Sequence, residues 1–218
     1  MILAIYGNGG LGKDIFILAK QIEQYKLNFW NKIIFINDYD SKTLIKEQVY
    51  TFEQFRNTYK ADQAKIVIAV GEPKYRKLLY DKVKEMKYEL ATLIHPRVYI
   101  HDYLNIKEGC IISEGTFVGI NVTIGHNTLI GISSVVLGHD VRVGANSVIS
   151  GHSFIGGNVV IGDLCYLGAG VKVKEKVKIS NKCIIGMGSV IIKDIVEEVV
   201  AVGNPARIVR KNEDLCVY

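Results

Sequence analysis

Four features are missing from this chain of 218 residues, and each absence narrows the protein classes to consider. The chain has no apolar run long enough to cross a membrane, and its N-terminus lacks the charged lead of a secretory signal. Its four cysteines show no CxxC spacing. No long basic run argues for nucleic acid, and the net charge of +5 would suit an anionic small ligand. We therefore expect a soluble, cytoplasmic protein without membrane spans or nucleic-acid partners.

An aliphatic residue returns at intervals of six positions from Ile106 to Ile191, with a single longer step. A period of six fits neither a helix nor a simple alternating strand, but it fits a solenoid whose coils have three short sides. A small residue stands four places after most of these positions, and glycine often follows them directly, near tight corners. The pattern predicts an all-β left-handed parallel β-helix. Cys110, Cys165 and Cys183 occupy the small inward position and are expected in its core.

The longer step of the repeat runs from Ile130 to Leu137, and the unit that follows it contains His139. An added residue in a regular coil bulges or bends the backbone, and such irregularities often re-aim a side chain beside a functional site. A neutral imidazole can accept a proton from an amine or a hydroxyl, and Asp140 could stabilise the imidazolium. His139 and Asp140 are therefore the predicted catalytic residues, and an exposed corner histidine without a role is the alternative.

His126, His139 and His152 are separated by equal intervals of 13 residues, which suggests a metal triad. On a three-sided prism they fall on different sides, so one subunit cannot bring them to one ion. We predict no metal site, although a subunit interface could reassemble some of the histidines, as in a γ-type carbonic anhydrase.

The first 95 residues follow another pattern, in which apolar strands alternate with helices. The predicted strands are 2–6, 32–36, 65–70 and 90–94, and the predicted helices follow the glycine loop, cover 51–59 and end near 87. This order predicts an α/β domain at 1–95, with a small Rossmann-like parallel sheet. The β-helix and a C-terminal cap follow at 96–218.

A glycine loop ends the first predicted strand, with Gly7, Gly9 and Gly12 in the spacing G-x-G-x-x-G. Glycines allow a close approach of the backbone, and the amides at a helix N-terminus attract phosphate. After the second strand, the carboxylates of Asp38 and Asp40 could accept hydrogen bonds from a ribose or a base. These features favour a nucleotide-linked ligand. A nicotinamide-dependent dehydrogenase and a purely structural turn are the alternatives.

The glycine-loop domain and the hexapeptide repeats are joined by two further motifs, SSVVLGHDVRVG at 133–144 and AVGNPARIV at 201–209. Together they resemble the bacterial sugar acetyltransferases of the hexapeptide-repeat family over nearly the whole chain. The chain looks like the group that modifies nucleotide-linked amino sugars, which includes bacillosamine and perosamine N-acetyltransferases and sialic acid O-acetyltransferases. The resemblance implies acetyl-CoA as donor, His139 as the base supported by Asp140, and a homotrimer with active sites between adjacent solenoids.

The resemblance also implies two sets of binding residues. The nucleotide-linked amino sugar is expected on the N-terminal domain, at Gly9, Gly10, Leu11, Asn37, Asp38 and Lys74. Acetyl-CoA is expected along the coils beyond the histidine, at Val148, Gly157, Ala169 and Met187. Two positions depart from the family pattern: Val148 stands where a second histidine contacts the thioester, and Leu11 where a histidine is frequent. His152 lies near Val148 in the sequence, but in another place of its hexad.

The sequence thus predicts an acetyl-CoA-dependent N-acetyltransferase that acts on the amino group of a nucleotide-linked deoxy-amino sugar, in the biosynthesis of a surface glycan such as an O-antigen. Direct transfer is favoured because no cysteine occupies a nucleophile position: three face the core, and Cys216 lies near the terminus. One alternative is a sialic-type sugar O-acetyltransferase, in which the same base acts on a hydroxyl. Another is a non-catalytic, nucleotide-sensing scaffold.

Overall fold

A computed structural model describes residues 1–25, 29–39, 47–131 and 136–217. The first part of the chain alternates strands and helices: β1 (Ile2–Tyr6), α1 (Gly10–Tyr25), β2 (Lys32–Ile36), β3 (Val49–Tyr50), α2 (Phe52–Thr58), β4 (Ala64–Ile68), α3 (Pro73–Glu85) and β5 (Glu89–Leu90). The strands form one parallel sheet in the order β3-β2-β1-β4-β5. Both faces of this sheet are buried, which explains why its central strands read as unbroken apolar runs.

The strand predicted at 90–94 is two strands that belong to different sheets. β5 pairs with β4, whereas β6 (Leu93–Ile94) pairs with β8 (Ile111–Ile112) in the second part of the chain. The change is visible in the backbone hydrogen bonds, because Ala91 N–H donates to Ile66 and Leu93 N–H donates to Cys110. Residues on both sides of the change are apolar and buried, so the hydropathy pattern has no break there.

The second part of the chain is a left-handed parallel β-helix, as the six-residue period predicts. Its remaining short strands are β7 (Asn105–Ile106), β9 (Phe117–Val118), β10 (Thr123–Ile124), β11 (Leu129–Ile130), β12 (Val136–Leu137), β13 (Arg142–Val143), β14 (Val148–Ile149), β15 (Phe154–Ile155), β16 (Val160–Ile161), β17 (Tyr166–Leu167), β18 (Lys172–Val173), β19 (Lys178–Ile179), β20 (Ile184–Ile185) and β21 (Val190–Ile191). A hairpin of β22 (Val199–Gly203) and β23 (Ala206–Lys211) ends it.

These strands stack into three sheets, which we call faces 1, 2 and 3. Face 1 has the order β23-β22-β20-β17-β14-β11-β8-β6, face 2 has β21-β18-β15-β12-β9, and face 3 has β19-β16-β13-β10-β7. The seven-residue step lies between β11 on face 1 and β12 on face 2. Residues 132–135, where the predicted bulge would fall, lie outside the described residues.

The interior of the β-helix is built from the repeated aliphatic and small residues, and the side chains of Cys110, Cys165 and Cys183 are fully buried there. The glycines after the strands serve a different purpose from the one expected at tight corners. A Cβ on Gly125 would lie 2.5 Å from the backbone nitrogen of Ala145 in the next coil. These glycines therefore allow successive coils to approach closely.

Face 1 is covered by the N-terminal domain. Ile111 and Leu129 point outward from this face and share a buried cluster with Ile15 and Leu18 of α1. No described element of the N-terminal domain covers faces 2 and 3 in this way, and Phe117 and Phe154 of face 2 are well exposed. No helix among the described residues is long and apolar enough to span a membrane.

Candidate functional site

A cleft of about 440 Å³ opens at the carboxyl ends of β1, β2 and β4. Its wall includes Asn37 and Asp38 after β2, and one face of α3, formed by Tyr75, Leu78, Leu79 and Lys82. The strand order of the sheet reverses here, because β2 lies on one side of β1 and β4 on the other. Ligands of open parallel sheets bind at such reversal points. The structure thus places Asn37 and Asp38 in the predicted region.

Asp38 is held by a network of hydrogen bonds inside this cleft. Its Oδ2 accepts from Tyr6 Oη and from Lys82 Nζ at 2.7 Å, and its Oδ1 accepts from Phe52 N–H at 2.7 Å. Burial acts to raise the pKa of Asp38, but the hydrogen bonds from Lys82, Phe52 and Tyr6 outweigh burial and lower this pKa. Burial, followed by the contact with Asp38, raises the pKa of Tyr6. Both oxygens that could have accepted a ribose or a base are therefore engaged within the chain.

This network predicts a pH dependence of stability. A carboxylate with a lowered pKa stabilises the fold above its unfolded-state pKa, and this contribution is lost as the pH falls through the folded-state pKa. In urea titrations between about pH 7 and pH 3, the unfolding free energy of the wild type should fall more steeply than that of Asp38→Asn. Asp81→Asn, which removes an exposed partner of Lys77 on α3, is the control and should behave as the wild type. Parallel curves for Asp38→Asn and the wild type would contradict the assignment.

The glycine loop after β1 divides into structural and open positions. Gly7 has φ +116°, and a Cβ on Gly12 would lie 2.1 Å from the carbonyl oxygen of Gly7, so these two glycines are required by the turn. A Cβ on Gly9 or Gly10 would meet nothing within 4 Å, so both leave open space at the N-terminus of α1. The turn is structural at its ends, and the positions predicted to bind phosphate are open.

Leu11 and Lys74 lie beside the cleft without lining it. Leu11 is partly buried against the apolar cluster that α1 shares with face 1, and it lies close to Gly71 after β4. Lys74 turns toward the C-terminal segment, where its Nζ donates to the carbonyl oxygen of Asp214 at 3.0 Å. Val217 N–H donates to the carboxylate of Glu72 in the same region. Lys74 is therefore occupied by the C-terminal segment in this structure.

Asp40, which the sequence also suggested for ribose, lies outside the described residues.

His139 and Asp140 stand at the corner between faces 2 and 3, directly after β12. His139 Nδ1 lies 2.7 Å from Asp140 Oδ2, and Asn121 Nδ2 donates to Asp140 Oδ1 at 3.1 Å. The hydrogen bond with His139, followed by the one from Asn121, lowers the pKa of Asp140. Asp140 is therefore ionised at neutral pH and binds the Nδ1 side of the ring. A hydrogen on Nδ1 leaves the lone pair of Nε2 free to accept a proton.

Gly157 lies in the next coil, against the ring of His139. A Cβ on Gly157 would lie 2.6 Å from His139 Nε2 and 2.8 Å from Cε1. The backbone reinforces this contact, because Asn158 N–H donates to the carbonyl oxygen of His139 at 2.8 Å. The third close atom is Cδ2 at 3.0 Å, so this position lies over the face of the imidazole beside Nε2. The glycine therefore makes room for the ring, and the lone pair of Nε2 points along the ring plane, away from this contact.

The other residues predicted for acetyl-CoA are distributed over two parts of the β-helix. Ala169 and Met187 occupy the corner between faces 1 and 2, in successive coils below His152, and Met187 is 80% exposed. The side chain of Val148 is 3% exposed and lies in the buried cluster between α1 and face 1. The structure therefore places Val148 in the interdomain core and away from any surface that could receive a ligand.

The three equally spaced histidines occupy three different corners of the prism. His126 lies between faces 3 and 1, where its ring stacks on Tyr80 with centroids 4.4 Å apart. His139 lies between faces 2 and 3, and His152 between faces 1 and 2. Among the described residues, no group of three His, Cys, Asp or Glu side chains could hold a metal ion.

Sequence reasoning missed Tyr6, Tyr75, Leu78 and Lys82 of the cleft. A signal for three of them was present, because positions 75, 78, 79 and 82 have the spacing of one helical face directly after a predicted strand. Tyr6 carried no such signal. It ends a buried strand, and only the folded sheet shows its hydroxyl beside Asp38.

Residues 2–83 match the family described as the PglD N-terminal domain. Two curated acetyltransferases are similar over short segments, and one of them is the galactoside O-acetyltransferase of Lactococcus lactis, 45% identical over 56 residues. These 56 residues are 26% of this chain. The matched segments span 27% of the length of each curated relative, so these similarities concern only part of each relative.

Solved structures match almost the whole chain. The acetyltransferase domain of PglB from Neisseria gonorrhoeae has a TM-score of 0.88 at 24% identity, covering 95% of this chain and 99% of that chain. Perosamine N-acetyltransferase from Caulobacter crescentus has a TM-score of 0.85 at 24% identity, covering 95% of this chain and 96% of that chain. WeeI from Acinetobacter baumannii has a TM-score of 0.86 at 27% identity, covering 96% of this chain and 100% of that chain. The chain therefore has the architecture of the bacterial sugar acetyltransferases of the hexapeptide-repeat family.

Proposed function

We propose that this protein, which has the architecture of the hexapeptide-repeat sugar acetyltransferases and a PglD-type N-terminal domain, transfers an acetyl group from acetyl-CoA to the amino group of a nucleotide-linked deoxy-amino sugar. The observation that carries the proposal is the His139–Asp140 pair, in which Asp140 holds Nδ1 and Gly157 makes room for the ring. A solvated corner histidine without a role would need neither the carboxylate on its Nδ1 nor a glycine against its ring.

The choice of a nucleotide-linked acceptor is supported by the N-terminal domain. Its cleft lies at the strand reversal of the sheet, and Gly9 and Gly10 leave space at the N-terminus of α1, where backbone amides attract phosphate. The PglB domain and the perosamine enzyme have the same two-part architecture, and their structures were determined with acetyl-CoA in one case and with CoA and GDP-perosamine in the other. A dehydrogenase is disfavoured because the chain attaches this cleft to a β-helix.

The transfer is direct in the proposed mechanism. His139 Nε2 accepts a proton from the acceptor amine while the nitrogen bonds to the acetyl carbonyl carbon. Asp140 stabilises the imidazolium through Nδ1. The carbon–sulfur bond then breaks, and the proton on Nε2 is returned to the leaving thiolate of CoA. Backbone amides of the coils stabilise the oxyanion. Cys110, Cys165 and Cys183 are buried, so they cannot act as acyl carriers.

A screen of acceptors tests this function. Release of CoA thiol from acetyl-CoA should require an amino sugar linked to UDP, dTDP or GDP, and mass spectrometry of the product should show one added acetyl group on nitrogen. The matched control is the same nucleotide sugar with a hydroxyl in place of the amine, which should release no thiol. Acetylation of the hydroxyl compound, or of a sialic-type sugar, would establish the O-acetyltransferase alternative. No thiol release with any acceptor would support the nucleotide-sensing scaffold.

We also propose a homotrimer in which face 2 packs against a neighbouring β-helix. Phe117 and Phe154 are 62% and 50% exposed on this face, and Ile120 is 48% exposed beside His139. Exposed apolar clusters of this kind mark interaction surfaces. The apolar surface adjoins the catalytic pair, which supports active sites at subunit boundaries.

The double variant Phe117→Asp/Phe154→Asp should dissociate the trimer, because six carboxylates would be buried at the three interfaces. Chains of 24.3 kDa give a trimer of about 73 kDa, and sedimentation should show a shift to the monomer mass together with loss of activity. Val160→Asp places one charge on face 3 and should leave the assembly intact. A double variant that still sediments as a trimer would exclude face 2 as the interface.

A further inference from the structure

Helix α3 makes different contacts on two opposite faces. One face, with Tyr75, Leu78, Leu79 and Lys82, lines the cleft. The opposite face docks on the corner of the β-helix between faces 3 and 1. There the Tyr80 ring stacks on His126, and Lys84 forms an ion pair with Glu108 at 2.9 Å. The same helix therefore touches both the nucleotide cleft and the coils.

Arg76 lies on the docking face and is completely buried. Its guanidinium makes five hydrogen bonds, all to oxygen atoms of backbone carbonyls or of one side-chain amide. Two go to the carbonyls of Ile68 and Val70 at the end of β4, at 2.8 and 2.9 Å. Three go to Asn127 at the coil corner: two to its carbonyl and one to its Oδ1, at 2.8 to 2.9 Å. All five N–H groups of the side chain are satisfied.

Asn127 extends this connection into the coils. Its Nδ2 donates back to the carbonyl oxygen of Arg76 at 3.0 Å and to Oδ1 of Asn146 in the next coil at 2.8 Å. Both asparagines adopt left-handed backbone conformations, with φ +53° and +56°. One hydrogen-bonded chain thus runs from the edge of the cleft through Arg76 to two successive coils.

Burying the Arg76 guanidinium costs free energy, and its five hydrogen bonds require a specific geometry. Burial lowers the pKa of Arg76 to about 10, and none of its described hydrogen bonds is to a carboxylate. A cation that gives up its hydration for neutral oxygens is stable only while all of them stay in place. A rotation of the N-terminal domain on the β-helix would break several of these bonds at once. An apolar residue of similar size would fill the same space but would make none of these directional hydrogen bonds.

We propose that Arg76 is a positioning residue that holds the nucleotide cleft in one orientation on the β-helix, so that the bound amino sugar reaches the acetyl-transfer site. This inference rests on the proposed function. It assigns Arg76 no contact with the substrate, because its guanidinium is enclosed between β4 and Asn127.

Steady-state kinetics test the consequence for turnover. Arg76→Met keeps much of the length and loses the charge and all five donors. We expect kcat to fall by about 30-fold, while the Kd of the nucleoside diphosphate and the KM of acetyl-CoA stay within about threefold of the wild type, because misorientation costs rate more than binding. Arg76→Lys, which keeps the charge but not the planar fork, should recover little of the loss. Arg56→Met is the control, because it removes an exposed arginine whose ion-pair partner, Glu53, lies on the same helix α2, and it should act as the wild type.

A spin-label distance tests orientation without any assay of activity. Labels are attached through Glu53→Cys on α2 and Lys178→Cys on β19 in a Cys216→Ser background, with labelled chains diluted in unlabelled ones. The wild type should give one narrow distance distribution, and Arg76→Met a broad one.

An equally narrow distribution in Arg76→Met, or an unchanged kcat, would overturn the proposal, as would a loss of nucleotide affinity as large as the loss of kcat/KM. If Arg76→Met does not fold, Asn127→Gly is the variant to measure. It tolerates the left-handed backbone and removes Oδ1 and Nδ2 from the connection, so its distribution should broaden too. A wild type with a narrow distribution but no acetyl transfer would refute the proposed function and leave the positioning role of Arg76 intact.

Discussion

The His139→Ala variant is expected to lose about three orders of magnitude in kcat while it keeps its fold and its affinity for nucleotide, because it removes the group that accepts the proton of the acceptor amine. The imidazole is 61% exposed, so its removal leaves no buried cavity and should change the unfolding temperature little. Thiol release and calorimetric binding of the nucleoside diphosphate measure the two expectations separately. The KM of acetyl-CoA should also change little.

The control for this variant is His152→Ala. His152 is likewise an exposed histidine at a coil corner, but it stands at a different corner from His139. Its kcat should stay within about threefold of the wild type, because among the described residues no carboxylate is hydrogen-bonded to its ring. A His139→Ala enzyme with activity near that of the wild type would remove the pair from the mechanism. A large loss in His152→Ala would assign part of the chemistry to the second corner.

The second large effect is expected for Gly157→Ala, with a loss of about 100-fold in kcat, because the ring of His139 must leave its place. The added methyl group would lie 2.6 Å from Nε2 and 2.8 Å from Cε1, so the imidazole has to turn. This movement displaces Nδ1 from Asp140 Oδ2 and takes Nε2 from the position in which it accepts the proton. The colliding atoms belong to an exposed side chain, which can move, and the stability of the fold should therefore change little.

Gly125→Ala provides the matched control. There the added Cβ meets the backbone of Gly144 and Ala145 at 2.5 to 2.9 Å, which cannot move without separating the coils. We expect this variant to lose thermal stability while the enzyme that remains folded keeps its kcat. The two glycines thus separate a catalytic effect from a structural effect of the same chemical change.

A double-mutant cycle makes the expectation for Gly157 more stringent. If the methyl group acts by displacing the ring, it should cost nothing further once the ring is absent. His139→Ala/Gly157→Ala should then have the kcat of His139→Ala alone. Additive losses would show that Gly157 acts independently of the base, for example through its backbone at the thioester of acetyl-CoA.

Much of the architecture could be read from local patterns. The strands at 2–6 and 32–36 appear in the structure with the predicted bounds, because unbroken apolar runs between turns define buried parallel strands. The coils follow the six-residue period because each hexad forms one side of the prism. The apolar run at 90–94 predicted one strand, where the structure has two, because the hydropathy of a residue does not show which strand it pairs with.

The candidate site was accessible from sequence only where neighbours in the chain form it. His139 and Asp140 are adjacent, and the irregular step and the family motif indicated them together. Gly157 was named as a coenzyme contact, but its position against Nε2 depends on the stacking of one coil on the next, 18 residues away in the chain. Val148 was named for the same role, yet α1 covers it from a distance of more than 100 residues along the sequence.

The amino-acid sequence by itself determined the two-part organisation, the β-helix and the adjacency of His139 and Asp140, because periodicity and adjacency are local properties of a chain. Only the tertiary structure decided that Asp38 is engaged by Tyr6 and Lys82, that Lys74 contacts the C-terminal segment, and that Arg76 joins β4 to Asn127. Apart from the contacts of Arg76 with β4, these contacts join residues separated by about 30 to 140 positions. Their geometry follows from how the sheet, α3 and the coils pack against each other, and no spacing in the sequence encodes it.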